Sequence, residues 1–267
     1  MTTTTHEGTA LITGASSGIG AVYADRLAKR GYDLILVARS GDRLADLARR
    51  ITNASGRSVE TLAADLTVSE DLASVEAVLK TDQSITLLVN NAGIAATTPL
   101  LQSNVDEMAR MIALNVTAPT RLAYAAAPAF VARGSGSVIN IASIVAINPK
   151  LLNGVYAASK AFVLALSESL KHELADKGLR IQAVLPGATA TDLWDKAGTP
   201  VHHLPQEIVM SAEDMVDAAL AGFDQGEFAT IPSLPDKADW DAFEKARDAL
   251  APNLSLAKPA ARYRVAA

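Results

Sequence analysis

Tyr156 and Lys160 stand four positions apart in "NGVYAASKAF", residues 153 to 162, with only small side chains between them. If the stretch is helical, the phenol and the ammonium lie one turn apart on one face. Such a pair can pack, or it can move protons. A phenol with a pKa of about 10 is a poor base at neutral pH, and lowering it by roughly three units takes about 4 kcal/mol of preferential phenolate stabilisation. One ammonium at about 4 to 5 Å contributes on the order of 4 kcal/mol at an effective dielectric near 20, before desolvation is subtracted. On charge alone, the lysine is enough to make the tyrosine an acid/base group.

Two further stretches carry chemistry. "TGASSGIG", residues 13 to 20, places glycines at 14, 18 and 20. They permit a tight turn and let backbone N–H groups approach a pyrophosphate at the positive end of a helix. The spacing G-x-x-x-G-x-G departs from the dinucleotide fingerprint G-x-G-x-x-G, and a glycine turn can also be plain helix entry. Downstream, "LILVARSGDR" puts Ala38 and Arg39 at the end of an apolar run, with Asp33 at the wrong end and Asp42 past the corner. An acidic residue there would hold the 2′-hydroxyl of NAD, whereas an arginine accommodates the 2′-phosphate of NADP. Arg39 therefore predicts a preference for NADPH, the plainer alternative being a solvated surface arginine.

These stretches need a frame, and the chain supplies one by alternating short apolar runs with helical periodicity, the pattern of β-α-β units around a buried parallel sheet. Strands are predicted at Thr9 to Thr13, Asp33 to Ala38, Ser58 to Ala63, Thr86 to Asn90, Ser137 to Ile141, Arg180 to Leu185 and Phe228 to Ile231. Helices are predicted at Gly18 to Arg30, Arg43 to Asn53, Ser69 to Lys80, Val105 to Val131, Val155 to Asp176 and Ala212 to Asp224. Lys29-Arg30-Gly31 and Lys177-Gly178 are helix stops, with basic residues at the negative dipole end. The pattern assigns residues 1–231 to one dinucleotide-binding and catalytic domain, with residues 188–211 as a substrate lid. Residues 232–267 read as one amphipathic helix and an arm packed on the same domain.

Composition narrows the class. With 267 residues, 49% apolar and 20% charged, the chain can bury a substantial core. The formal charge of −5 comes without a basic stripe, since Arg49-Arg50 is isolated, which argues against a nucleic-acid partner. The absence of cysteine excludes disulfides, thiolate metal sites and cysteine nucleophiles. "MTTTTHEGTA" has no basic or apolar leader region, and the apolar window from Ala113 to Ala132 is broken by Asn115, Pro119, Arg121 and Pro128. A soluble, cytoplasmic protein that binds no membrane is expected. His202-His203 lacks a third ligand, so no metal is expected.

Taken together and in order, "TGASSGIG", "NNAG" at 90 to 93, Asn115, Ser143, Tyr156-Ala-Ala-Ser-Lys160 and Pro186-Gly187 resemble the short-chain dehydrogenase/reductase family over about residues 9 to 231. The resemblance implies a doubly wound, Rossmann-type sheet of order 3-2-1-4-5-6-7 with helices on both faces. It also implies a nicotinamide cofactor and reversible hydride transfer between an alcohol and a carbonyl. In that reading Tyr156 exchanges the proton with the substrate oxygen, and Lys160 lowers its pKa and binds the nicotinamide ribose. Ser143 orients the substrate oxygen, although a lone serine after a strand is usually a cap. Asn115 distorts its helix to hold a water in the proton relay, the alternative being a buried, satisfied amide.

The resemblance implies cofactor contacts from Gly14, Ser16, Ser17, Gly18, Ile19, Gly20 and Arg39, and from Asp65 and Leu66 at the adenine ring. It adds Asn91, Ala92 and Gly93 at the adenine ribose, and Pro186, Gly187, Thr189 and Thr191 at the nicotinamide carboxamide. Asp65 could instead cap the following helix. For the substrate, Leu193, Trp194, Val201, Leu204 and Met210 would form the lid's apolar inner face. Ile144, Val145, Leu151, Leu152 and Val155 would form the facing wall. The expected substrate is a small apolar carbonyl compound or alcohol, and the expected function is NADPH-dependent carbonyl reduction. The alternatives are reduction of 3-oxoacyl groups on a carrier protein and non-catalytic nicotinamide binding by a regulatory protein. Family resemblance also implies a homodimer or homotetramer. "RLAYAAAPAFVA", Phe162, Leu166 and Leu170 could serve that interface or the core equally well.

Overall fold

Residues that alternate along a strand project to opposite faces of its sheet, and here both faces are apolar. In β1 (Thr9–Thr13), Ala10 and Ile12 enter one core while Leu11 enters the other. In β2 (Asp33–Ala38), Leu34 and Leu36 join the first core, and Ile35 and Val37 the second. The remaining strands are β3 (Val59–Ala63), β4 (Ile85–Asn90), β5 (Gly136–Ile141), β6 (Leu179–Val184) and β7 (Ala229–Thr230). All pair in parallel, in the order β3-β2-β1-β4-β5-β6-β7. This is the doubly wound α/β sheet expected from the sequence, and each predicted strand is present within two residues of its expected ends.

The computed structural model describes residues 6–263, so the threonine run at the start and the last four residues lie outside the described residues. The chain divides into two units, Met1–Pro232 and Ser233–Ala267. The helices of the first are α1 (Gly18–Lys29), α2 (Gly41–Ser55), α3 (Ser69–Thr81), α4 (Val105–Ile112), α5 (Ala118–Arg133), α6 (Gly154–Leu174), α7 (Leu193–Lys196) and α8 (Ala212–Asp224). Tyr23 and Leu27 of α1, Leu44 of α2 and Val216 of α8 fill the first core. Val75 of α3, Leu122 and Phe130 of α5 and Leu170 of α6 fill the second. The second unit holds α9 (Lys237–Asp248), capped by the Asp236 carboxylate, which accepts from the Ala238 N–H at 2.8 Å. Among the described residues no helix is long and apolar enough to cross a membrane.

One helix differs from expectation. The stretch read as continuous from Val105 to Val131 is two α-helices separated by a π-turn at Ala113–Thr117, closed by the Ala118 N–H donating to the Ala113 carbonyl. Such a turn holds one residue in excess of α-helical spacing, a device common at functional sites. Asn115 sits in the middle of it and is buried.

Strand order reverses between β2 and β4 around β1. At such a switch point the connections leave in opposite directions and open a crevice at the carboxyl ends of the strands.

Candidate active site

The switch point is stitched by side chains. The Thr13 hydroxyl at the end of β1 accepts from the Asn91 and Ala92 N–H groups, both at 3.0 Å, and donates to the Val89 carbonyl at 3.3 Å. Asn91 Nδ2 donates back to the Thr13 and Gly14 carbonyls at 2.9 and 3.2 Å. This close approach leaves no room for Cβ atoms. Gly14 has φ +65°, and a Cβ on it would lie 2.8 Å from Ala92 Cα. A Cβ on Gly20 would lie 2.4 Å from the Gly14 carbonyl oxygen. Ser17, the N-cap of α1, makes no side-chain capping bond, and the first turn carries no acidic residue. The positive end of the helix is thus open to an anion.

A cleft of about 760 Å³ begins here, lined by Gly14, Ser17, Gly18, Ile19 and Arg39, and continues past Asn91, Ala92 and Gly93. The residues fit a dinucleotide: a glycine cradle with an open helix end for the phosphates, and Arg39 at the corner for a further anionic group. Arg39 Nη1 lies 4.0 Å from Asp65 Oδ2, which Arg110 Nη2 approaches at 3.4 Å. Burial acts to raise the Asp65 pKa, but hydrogen bonds from Thr67 and the two arginine charges outweigh it and hold the carboxyl below its ordinary value.

Farther along the cleft come Ser143, Tyr156, Lys160, Pro186, Gly187, Thr189 and Thr191. Tyr156 and Lys160 occupy α6, and Lys160 Nζ lies 5.9 Å from the centroid of the Tyr156 ring, so the sequence spacing does bring both into one chamber. Lys160 is buried and donates to the Ile141 carbonyl at 2.8 Å. Burial pushes its pKa down to about 8. Burial, rather than the neighbouring ammonium, dominates at the phenol. Burial pushes Tyr156 up to about 12, and the hydrogen bond with Ser143 offsets this only in part. Desolvation of the anion exceeds what the Ser143 hydroxyl returns.

Asn115 does not line the cleft; it holds the cleft's wall. Its Oδ1 accepts from the Ile94 N–H at 3.0 Å, and its Nδ2 donates to the Ile94 carbonyl at 2.9 Å and to Ser159 Oγ at 3.1 Å. Ser159 in turn donates to the Tyr156 carbonyl at 2.7 Å. The π-turn thereby ties the segment after β4 to the helix that carries the tyrosine.

The far end of the cleft is built differently. Leu193, Trp194 and Leu204, from the segment expected to form a lid, line the cleft together with Ile144, Val145, Leu151 and Leu152. Three residues expected there are elsewhere. Met210 bridges to Thr189 in a two-stranded contact and packs on the first core, Val155 packs beside Met108 and Met111, and Val201 is outside the lining. Of the expected cofactor residues, Leu66 is turned into the second core, and Asp65 meets the cleft only through Arg39 and Arg110. Gly20 lies behind the turn, while Ser16 lines a separate surface hollow with Arg43 and Arg50. Sequence reasoning missed Thr13, Thr97 and Asn153. Only Asn153 carries a local signal, an asparagine placed to cap a helix. His202 and His203 pack edge to face at 4.3 Å, and among the described residues no three side chains gather as metal ligands.

Comparison with known proteins places this geometry in context. The model of the short chain dehydrogenase family matches residues 8–201. A short-chain dehydrogenase from Sphingobium yanoikuyae, solved in complex with NADPH, is 50% identical with a TM-score of 0.94, over 96% of this chain and 100% of that one. The bulky-bulky ketone specific alcohol dehydrogenase from Comamonas testosteroni is 45% identical with a TM-score of 0.89, over 97% of this chain and 99% of that one. An uncharacterized oxidoreductase of Staphylococcus saprophyticus is 36% identical over 187 residues, which is 69% of this chain and 79% of that protein.

Proposed function

Because this chain belongs to the short-chain dehydrogenase family, we propose that it is an NADPH-dependent reductase of ketones carrying apolar groups on both sides of the carbonyl. One observation carries the reading. Ser143, Tyr156 and Lys160 share a single cleft with a glycine cradle at one end and an apolar lid at the other. The similarity to an NADPH complex and to a bulky-bulky ketone dehydrogenase supports the choice of cofactor and substrate.

When bound, NADPH supplies the hydride to the carbonyl carbon and is left as NADP⁺. The Ser143 hydroxyl donates to the carbonyl oxygen and sets its direction. Tyr156 then donates its phenolic proton to that oxygen as negative charge develops there, forming the alcohol. With a pKa of about 12 the phenol is loaded with its proton at neutral pH, as reduction requires. Lys160, with a pKa of about 8, is largely cationic at pH 7, so its charge favours the tyrosinate as the proton leaves. The Ile141 carbonyl fixes the ammonium on the cleft side of α6. A homodimer or homotetramer is part of the same reading. Ala125, Ala126 and Phe130 are spent in the second core, whereas Tyr124 and Phe162 remain exposed and available to a second copy.

The test is NADPH absorbance in the presence of diaryl or branched aryl-alkyl ketones. Turnover on such substrates is expected, and Tyr156→Phe should lower kcat by about 1000-fold while cofactor binding persists. Retained activity in that variant overturns the mechanism. Absence of turnover on every bulky ketone, with turnover on small ones, overturns the substrate class. Light scattering at micromolar concentration checks the assembly, and a monomeric mass contradicts it.

A further inference from the structure

The lid and the segment after β4 meet at Thr97. The Thr97 N–H and hydroxyl donate to the Ala197 carbonyl at 3.2 and 2.8 Å, and the Thr199 hydroxyl donates to Thr97 Oγ1 at 3.0 Å. One residue on, the Thr98 carbonyl accepts from Asn153 Nδ2 at 2.6 Å, and the same amide nitrogen donates to Ser103 Oγ at 3.1 Å. Asn153 Oδ1 faces the other way. It accepts from the Val155 and Tyr156 N–H groups at 2.9 and 3.4 Å and so caps α6. Asn153 is buried, and it sits behind the cleft wall formed by Thr97, Thr98 and Ser103.

Every hydrogen-bonding position of this carboxamide is in use, two donors toward the lid's anchor and two acceptor sites toward the catalytic helix. Cap preference alone does not ask for asparagine, because aspartate or serine caps a helix as well. An aspartate would keep the cap and set an oxygen against the Thr98 carbonyl, and a serine would keep the cap without the reach. The double engagement selects the amide.

We propose that Asn153 is a positioning residue that conveys seating of the lid on a substrate, through Thr97 and Thr98, to the first turn of the helix carrying Tyr156. A ketone that fills the lid fixes Ala197 and Thr199, these fix Thr97, and Asn153 then holds the Tyr156 backbone where its hydroxyl meets the carbonyl oxygen. A small ketone leaves the lid unfilled and gains nothing from the linkage. This rests on the reading of Tyr156 as the proton donor.

The test compares wild type with Asn153→Asp on one diaryl ketone and one small dialkyl ketone. A misplacement of the proton donor by about 1 Å lowers kcat on the bulky ketone by about 100-fold. Turnover of the small ketone should fall far less, so the bulky-to-small ratio of kcat/KM drops by at least about tenfold. NADPH affinity should stay near wild type, since Asn153 lies outside the glycine cradle, whereas the melting temperature should fall, because a buried carboxylate would face the Thr98 carbonyl. Asn153→Ser, which also keeps a cap oxygen and loses both donors, should reproduce the changed ratio and covers the case in which the aspartate variant does not fold. Thr97→Val cuts the side-chain stitches at the other end and should add little in the Asn153→Asp background. An unchanged ratio in both Asn153 variants, or effects of the two sites that simply multiply, overturns the proposal. Tyr156→Phe assayed alongside separates the layers. If it stays active the proton-donor reading fails, whereas if it is inactive and the Asn153 variants keep the wild-type ratio, only the linkage fails.

Discussion

The two ends of the cleft are made from different parts of the polypeptide. At the β1–α1 turn the walls are backbone: Gly14 and Gly20 approach each other and Ala92 so closely that a single methyl group collides with main-chain atoms. At the lid the walls are side chains, Leu193, Trp194 and Leu204 against Ile144, Leu151 and Leu152. A backbone wall has one shape, set by the sheet, and admits almost no substitution. A side-chain wall can be resurfaced without disturbing the strands beneath it. On the proposed function, that difference in material makes one end a fixed cofactor site and the other an adjustable substrate site.

The sharpest way to break the comparison is Gly20→Ala. Its Cβ would sit 2.4 Å from the Gly14 carbonyl oxygen, and relief of that overlap should cost about 3 kcal/mol, equivalent to about 100-fold in NADPH affinity or in the unfolding equilibrium. Isothermal titration and chemical denaturation read the two outcomes. Affinity and stability both at wild-type level would show the cradle to be as pliable as the lid.

Between the two ends lies Lys160, whose burial costs stability in a pH-dependent way. Its pKa falls from an ordinary 10.5 to about 8 in the folded protein, so between those values the unfolded chain retains a proton that the folded one has released. Stability therefore rises with pH across that interval, and below it the full cost of the buried charge is present. Tyr156, raised to about 12, works in the opposite direction above pH 10, which leaves the window from about 8 to 10 for the lysine. From pH 7.5 to 10 wild type should gain about 2 kcal/mol relative to Lys160→Met in urea denaturation. Parallel pH profiles for the two proteins would show that the ammonium is not desolvated.

Arg39 is largely exposed, so its contribution is smaller. Arg39→Ser should narrow the preference for NADPH over NADH by about tenfold in kcat/KM, at the low end for a charge-assisted contact. An unchanged preference would assign the 2′-phosphate to another group. The smallest effect belongs to the lid. Leu193→Ala removes part of a half-buried apolar wall and should lower kcat/KM on a bulky ketone by about fivefold, or about 1 kcal/mol, with NADPH affinity untouched. A larger loss that extends to the cofactor would erase the distinction between the ends.

The fixed end was also the legible end. Strand positions and the glycine turn follow from local patterns, because a two-sided apolar strand and a turn without Cβ atoms leave marks within a few residues of each other. The lid left no such mark. A connection without regular periodicity gives no rule for which side chains face inward, so Met210 and Val201 were expected in a wall they do not join. Partners remote in sequence were equally hidden. Asparagine before α6 reads as a cap, but nothing near Asn153 announces Thr98, and nothing near Lys160 announces the Ile141 carbonyl. The charge on Lys160 can be read from the sequence, whereas the desolvation of the phenol cannot.

The surplus residue in Ala113–Thr117 makes the site depend on counting as well as on composition. Deleting Leu114, beside Asn115, would let α4 and α5 merge into an unbroken coil with their flanking faces still in register, because the residue lost is the surplus one. The carboxamide that grips Ile94 would swing off its target although every side chain assigned a role elsewhere stayed in place. Loss of one codon there would unseat the wall behind the cleft while Ser143, Tyr156 and Lys160 all remained in the chain.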